Sequence, residues 1–195
     1  MGLNKADVYA PRPAQSSVSG AIAVAPVGTT MPTDAKSALA NTFDDGGYVG
    51  DAGITLGLNR NTNVIRDWSQ GVVRTLLNSF DGTVVVPIIQ IDEWSAKRLI
   101  GDDNVVVTAA TTTASGQIKM KIGSQLPDPE EWVFSMKDGD RRVRVILPDA
   151  CITAIDNVAF VPNAVNNWNA TLTCSEDADG YSIYVIYDNG EVLSA

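Results

Sequence analysis

"GVVRTLLNSFDGTVVVPIIQI", residues 71–91, is the stretch on which the fold turns. Two runs rich in β-branched residues, 71–77 and 84–91, flank Phe80-Asp81-Gly82-Thr83. Val and Ile suit a pleated, half-buried surface, and Asp-Gly supplies the φ > 0 freedom that a two-residue hairpin turn requires. The pattern predicts two antiparallel strands joined at Asp81-Gly82.

Upstream, Ile54, Leu56 and Leu58 alternate with Thr55, Gly57 and Asn59, which is the period of a strand. The residues that follow are polar and without apolar period, so 59–67 reads as a loop. "DDGGYVGDAG", 44–53, carries four glycines in ten residues and reads as turns. A long loop region around 44–70 results. It ends at "RDWSQGVVRT", 66–75, where Trp68 stands among charged and polar neighbours and looks exposed. Trp94, Trp132 and Trp168 read as core anchors.

Downstream, "DEWSAKRLIG" is the one helix. Asp92 suits the N-cap, Glu93 and Lys97 stand at i,i+4, and Gly101 suits the residue after the last turn. Ala96, Leu99 and Ile100 share a face. The remainder reads as strands: "NVVVTAATTT", "GQIKMKIG", "EWVFSMKDGDRRVRVILP" turning at 137–140, "NVAFVP", and "ATLTCSEDADGYSIYVIYDNG" turning at 177–181. In "GYSIYVIY" both faces are apolar, so the reading expects cover on both. Toward the N-terminus, "AIAVAPVG" is a short strand and "TTMPTDAKSALANTF" a loop with one helical turn at most. Residues 1–20, with "APRPAQSSVSG", form a Pro- and Ser-rich arm. The fold class is mainly β, a sandwich or barrel, with 21–195 as a single domain.

Composition supports one globular unit: 195 residues, 45% hydrophobic and 19% charged. The net charge of −9 argues against tight binding to a phosphate backbone. No apolar run is long enough for a membrane span, and no secretory signal is convincing, so synthesis in a cytoplasm is expected. The sequence has no histidine. This removes Ser-His-Asp and Cys-His catalysis and the commonest zinc ligand. Cys151 and Cys174 lack CxxC spacing and read most simply as free core thiols, with a disulfide or metal role as the alternatives. "SEDADG" fails as a calcium loop because Ile186 falls where a bidentate Glu is needed. Carboxylate clusters read as solvated turns, and Arg141, Arg142 and Arg144 as a weak DNA signal for which salt bridges to a neighbour's carboxylates are the favoured reading. No phosphate-binding glycine motif follows a strand. No catalytic, cofactor or metal site is expected.

"GYVGDAGITLGLNRNTNVIRDWSQGVVRTLL…GTVVVPIIQIDEWSAKRLIGDDNV" resembles the major tail tube protein of long-tailed phages, and "WVFSMKDGDRRVRVILPDACITAIDNVAFVPNAVNNWNATLTCSEDADGYSIYVIYDNG" continues the likeness through about residue 190. The resemblance implies a hexameric ring whose inner sheets close into a β-barrel, with rings stacked into a tube. The helix, with Asp92, Trp94, Lys97 and Leu99, would cover the outside of a sheet. Asn59, Arg60, Asn63, Arg66, Asp67, Trp68, Gly71 and Arg74 would contact neighbouring subunits or rings, and the terminal arm would bridge to an adjacent ring. Implied partners are the tape measure protein, the tail terminator and the baseplate or tip initiator proteins. DNA would pass through a carboxylate-lined lumen without specific binding, in a virion tail assembled in the host cytoplasm. The competing readings are a tail terminator or other tube-family protein, a carbohydrate- or receptor-binding sandwich, and an enzyme, which the missing histidine argues against.

Overall fold

A computed structural model describes residues 8–14 and 21–191. The strands are β1 (Arg12–Pro13), β2 (Ile22–Pro26), β3 (Asp44–Asp45), β4 (Thr55–Arg66), β5 (Val72–Ile88), β6 (Val105–Thr108), β7 (Gln117–Met120), β8 (Glu130–Asp138), β9 (Arg141–Ile155), β10 (Trp168–Cys174) and β11 (Tyr184–Asp188). Helix α1 spans Glu93–Ile100.

The stretch 72–88 is one continuous strand, and the expected hairpin at Asp81-Gly82 does not form. A type I′ turn needs positive φ at its centre. Gly82 is not among the positive-φ glycines and instead pairs with Leu58 on one side and Cys174 on the other. Its missing side chain serves packing, since a Cβ there would lie 3.1 Å from Ile183 Cδ1. The hairpin exists one strand earlier. The expected loop 59–67 is mostly strand, because β4 pairs with β5 from Thr55↔Val85 to Arg66↔Val72. It lacked an apolar period because it projects beyond the core, where no buried face imposes one.

The main sheet runs β3-β2-β8-β9-β10-β5-β4, with β1 on β8 and β11 on β9. Strand β9 changes partner along its length: Arg142–Ile146 pair with β11, whereas Ala150–Ile155 pair with β10. A register shift in the β8–β9 ladder between Glu130 and Trp132 accompanies the change. Two wings result, β4-β5-β10 with the second half of β9, and β11-β8-β2-β3 with its first half. Their inner faces share one core. Val84, Val86, Ile88, Ile152 and Leu172 come from the first wing, Ile22, Val24, Trp132, Phe134 and Val145 from the second, and Leu99 and Ile100 from α1. This is a mainly β, sandwich-like protomer, and no barrel closes among the described residues.

Helix α1 follows its local code. Asp92 Oδ1 accepts from Ser95 N at 2.9 Å, and Ser95 Oγ accepts from Asp92 N at 2.9 Å. Lys97 pairs with Glu93 at 2.7 Å, and Gly101 takes φ 95°. Trp94 packs edge-on against Trp132, with centroids 6.4 Å apart. A Cβ at Gly46 would lie 2.7 Å from the Trp94 ring, so glycine there lets the chain cross the indole.

Other expectations are corrected. "NVAFVP" is irregular and leaves Phe160 exposed. Arg144 is buried and donates to the carbonyls of Asp34 (2.7 Å) and Ser37 (2.9 Å), tying down a loop instead of meeting a carboxylate. Residues 29–43 are a loop of turns and bends, in agreement with the loop reading, and hold no helical turn. The face of β11 with Val185 and Tyr187 is exposed, with Tyr9 packed on Tyr187 at 5.3 Å. Of the expected N-terminal arm, residues 8–14 lie on the sheet edge: Ala14 N donates to Ser135 O and Arg141 Nη1 to Val8 O, both at 2.9 Å. The other arm residues, 1–7 and 15–20, lie outside the described residues. Cys151 and Cys174 are free thiols, and burial pushes Cys174 up to about 11.

Candidate assembly interface

The β10 ladder leaves β5 at Gly82. Beyond it, Asn59–Arg66 and Val72–Asp81 form a two-stranded arm with every residue exposed except Leu76 and Phe80, which are half-buried. At about 3.3 Å per residue, the pairs from Arg60 outward reach roughly 20 Å past the body.

The tip is built by Asp67. Gln70 N donates to Asp67 O at 3.0 Å, and Asp67 N to Gly71 O at 2.9 Å. The Asp67 carboxylate accepts from Ser69 Oγ at 2.7 Å and Gly71 N at 2.6 Å, and these bonds hold its pKa below the usual range. Arg66 Nη1 clamps Gln70 O at 2.9 Å. The result is a three-residue hairpin loop, a turn followed by one left-handed residue, and that residue is Gln70 at φ 68°. Trp68 crowns the loop with its whole side chain in solvent, at 101% relative exposure.

Directly paired residues share a face. One face of the arm continues the core face of the sheet through Leu56/Val84, Leu58/Gly82, Arg60/Phe80, Thr62/Leu77, Val64/Thr75 and Arg66/Val72. Its Leu58, Val64, Leu77 and Val72 are exposed, and Arg60 lies over the Phe80 ring at 5.5 Å. The other face carries Asn59/Asp81, Asn61/Ser79, Asn63/Leu76 and Ile65/Arg74. A hairpin of two strands is marginal in water, and an exposed apolar strip on one marks a contact surface.

The structure thus brings together Asn59, Arg60, Asn63, Arg66, Asp67, Trp68, Gly71 and Arg74 on a single arm. Asp92, Trp94, Lys97 and Leu99 belong elsewhere. Leu99 is a core residue, Trp94 is half-buried, and Lys97 stays at the surface. Sequence reasoning missed the apolar strip. Its residues were visible as strand formers, but nothing in the alternation told that both faces of those strands stand clear of the body.

Behind the helix, Arg98 Nε lies 2.9 Å from Glu130 Oε1 as an ion pair, without hydrogen-bond alignment, and its Nη2 lies 3.4 Å from Asp44. Burial pushes Glu130 up to about 7 against the pull of Arg98. Among the described residues no group of three or more His, Cys, Asp or Glu is placed to hold a metal ion, and no helix is long and apolar enough to cross a membrane.

A family model described as "Phage tail tube protein" matches residues 11–192. The chain belongs to the phage tail tube protein family. The family's structural role in the virion tail, by self-assembly into a tube, applies to this chain. A comparison with curated proteins returned no match.

Proposed function

We propose that six copies close into a ring, that rings stack into a hollow tube, and that the β4–β5 arm seats Trp68 on the next ring. The single observation that carries this reading is the arm, an ordered projection whose apolar strip and tip stand exposed, with nothing to pack on among the described residues of one protomer. Head-to-tail stacking is a heterologous contact and propagates, which suits a surface that has no copy of itself to meet. Assembly takes place in the host cytoplasm. The tape measure protein sets the length, an initiator complex at the baseplate or tip starts the stack, and a terminator ends it.

The wall of the conduit is the face of β4-β5-β10-β9 opposite the core. The helix and second wing fill the core side, which leaves the opposite face of this wing free to border a central hole. It carries Thr55, Asn59, Thr83, Thr171, Thr173 and Thr153, with the Thr153 and Thr173 hydroxyls 2.7 Å apart. Asp81, paired with Asn59, supplies a carboxylate at the foot of the arm. The expected acidic lumen becomes a wall of hydroxyls and amides with one Asp81 ring per stacked layer. DNA slides past because the body of this face offers its phosphates no cation, and Arg74 stands out along the arm beyond Asp81.

Expressing the chain alone, concentrating it and imaging by negative-stain electron microscopy tests the reading. Hollow tubes or stacked rings support it. A closed ring that never stacks favours a terminator, and a compact trimer a receptor-binding sandwich.

A further inference from the structure

The two wings meet at a β-bulge, and a buried carboxyl sits on it. In the β8–β9 ladder Glu130 pairs with Ala150 and Trp132 with Leu147, so Glu131 alone stands opposite two residues, Pro148 and Asp149. At this bulge β9 leaves β11 for β10. On its other side Glu131 pairs with Ala25 of β2. Glu131 is 1% exposed, and its Oε1 has no hydrogen-bond partner among the described residues.

Alternation places Glu130 and Glu131 on opposite faces of β8. Glu130 stands on the helix side, under the influence of Arg98, Asp44, Asp102 and Asp128. Glu131 shares the outer face with Val133 and Ser135. Cross-strand pairing puts these charged and titratable groups on that face: Asp45 of β3 beside Ala23, Lys137 at the far end of β8, Arg142 and Arg144 of β9, and Tyr184 and Asp188 of β11. The loop 29–43, which Arg144 ties to this face, adds Asp34 and Lys36, and the bulge itself adds Asp149. The nearer cations are engaged elsewhere. Arg144 donates to the carbonyls of Asp34 and Ser37, Arg142 to those of Gly139 and Arg141, and Lys36 pairs with Asp188.

An ionised carboxylate in such a position has lost its hydration and gained no cation in return. Burial alone lifts the Glu131 carboxyl from 4.5 to about 7. The neutral acid fits a sealed site, whereas the charged form is driven toward water. Two weak places adjoin it. Pro148 brings no N–H to the ladder at the bulge, and the loop 29–43 has no strand or helix of its own.

We propose that Glu131 is a proton-held latch on the joint between the wings: the neutral acid keeps the bulge and its flanking strands closed, and the ionised form opens them. The joint sets the angle between the wings, so the latch acts on the shape that a copy presents to its neighbours. It works within one protomer and holds with or without the tube reading.

The test is hydrogen exchange by mass spectrometry on the full soluble chain at pH 6 and pH 8, corrected for the intrinsic pH dependence of exchange and repeated in low urea. A carboxyl that titrates at about 7 closed and 4.5 open raises the open fraction about tenfold over that interval. Segments 22–26, 129–133 and 146–150 are expected to exchange about tenfold faster at pH 8, at rates that low urea hardly changes, because a local opening exposes little surface. Glu131→Gln is expected to remove this pH dependence and Glu130→Gln to keep it. Equal protection at both pH values, or a pH dependence that survives in Glu131→Gln, overturns the latch. So does a urea dependence in these segments as steep as in β10, since exchange then needs global unfolding and Glu131 only tunes overall stability. The wild-type comparison of pH and urea decides the question even where Glu131→Gln does not fold.

Discussion

Replacing Trp68 by alanine separates folding from assembly. In the protomer the side chain is fully exposed, at 101% relative exposure. Its loss therefore changes protomer stability by no more than about 0.5 kcal/mol, as for surface sites in general. The proposed stack buries it. A tryptophan covers roughly 200 Å², worth a ceiling of about 5 kcal/mol at 25 cal/mol per Å². Partial burial and about 1 kcal/mol of side-chain ordering reduce this to about 2–3 kcal/mol per contact. At 1.4 kcal/mol per factor of ten, the concentration needed for tube growth rises about 100-fold. The assay is a pelleting titration with electron microscopy of the pellet, alongside a thermal melt of the soluble fraction. An unchanged critical concentration with an unchanged melt would refute the role given to Trp68. A lowered melt would refute the claim that it is free in the protomer.

Three further outcomes follow from the geometry. Glu131 is 1% exposed, its Oε1 has no hydrogen-bond partner among the described residues, and burial pushes its carboxyl from 4.5 up to about 7. The folded state thus holds a proton that the unfolded state releases, so this contribution to stability is complete below pH 4.5 and lost as pH rises through 7. The loss is about 3 kcal/mol at most. Glu131→Gln is expected to flatten the stability–pH curve and to stabilise at pH 8, measured by urea denaturation across pH 4–8. Gln70→Gly removes a side chain from φ 68° and is expected to stabilise the arm tip by about 0.5–1 kcal/mol, seen as slower amide exchange at 66–72. Asp92→Ala deletes the acceptor for Ser95 N and is expected to cost about 1 kcal/mol, lowering the melting temperature by about 2–4 °C.

What could be read from sequence divides along physical lines. Helix α1 was legible to its cap and its ion pair, because capping and i,i+4 pairing are local codes. The core strands around Trp132 and Leu172 were legible because burial imposes a pattern. Asp81-Gly82 misled because a glycine has two uses. The dipeptide suits a positive-φ turn, but here Gly82 makes room for Ile183 inside a long strand. Strand β4 was illegible past Asn59 because pairing with β5 alone leaves both faces in water and asks for no alternation. The exposure of Trp68 was legible from its polar surroundings. The apolar strip beside it was not, since exposure depends on where β10 stops pairing with β5, a property of the whole sheet.

A helical reconstruction of tubes grown from the purified chain tests the central claim most directly. The account predicts rings of six, an inner wall of β4, β5, β10 and the second half of β9 with Thr83, Thr171 and Thr173 facing the channel, and Trp68 buried against the adjacent ring. An inner wall made of other strands, or an arm that ends in solvent with Trp68 uncovered, would contradict it.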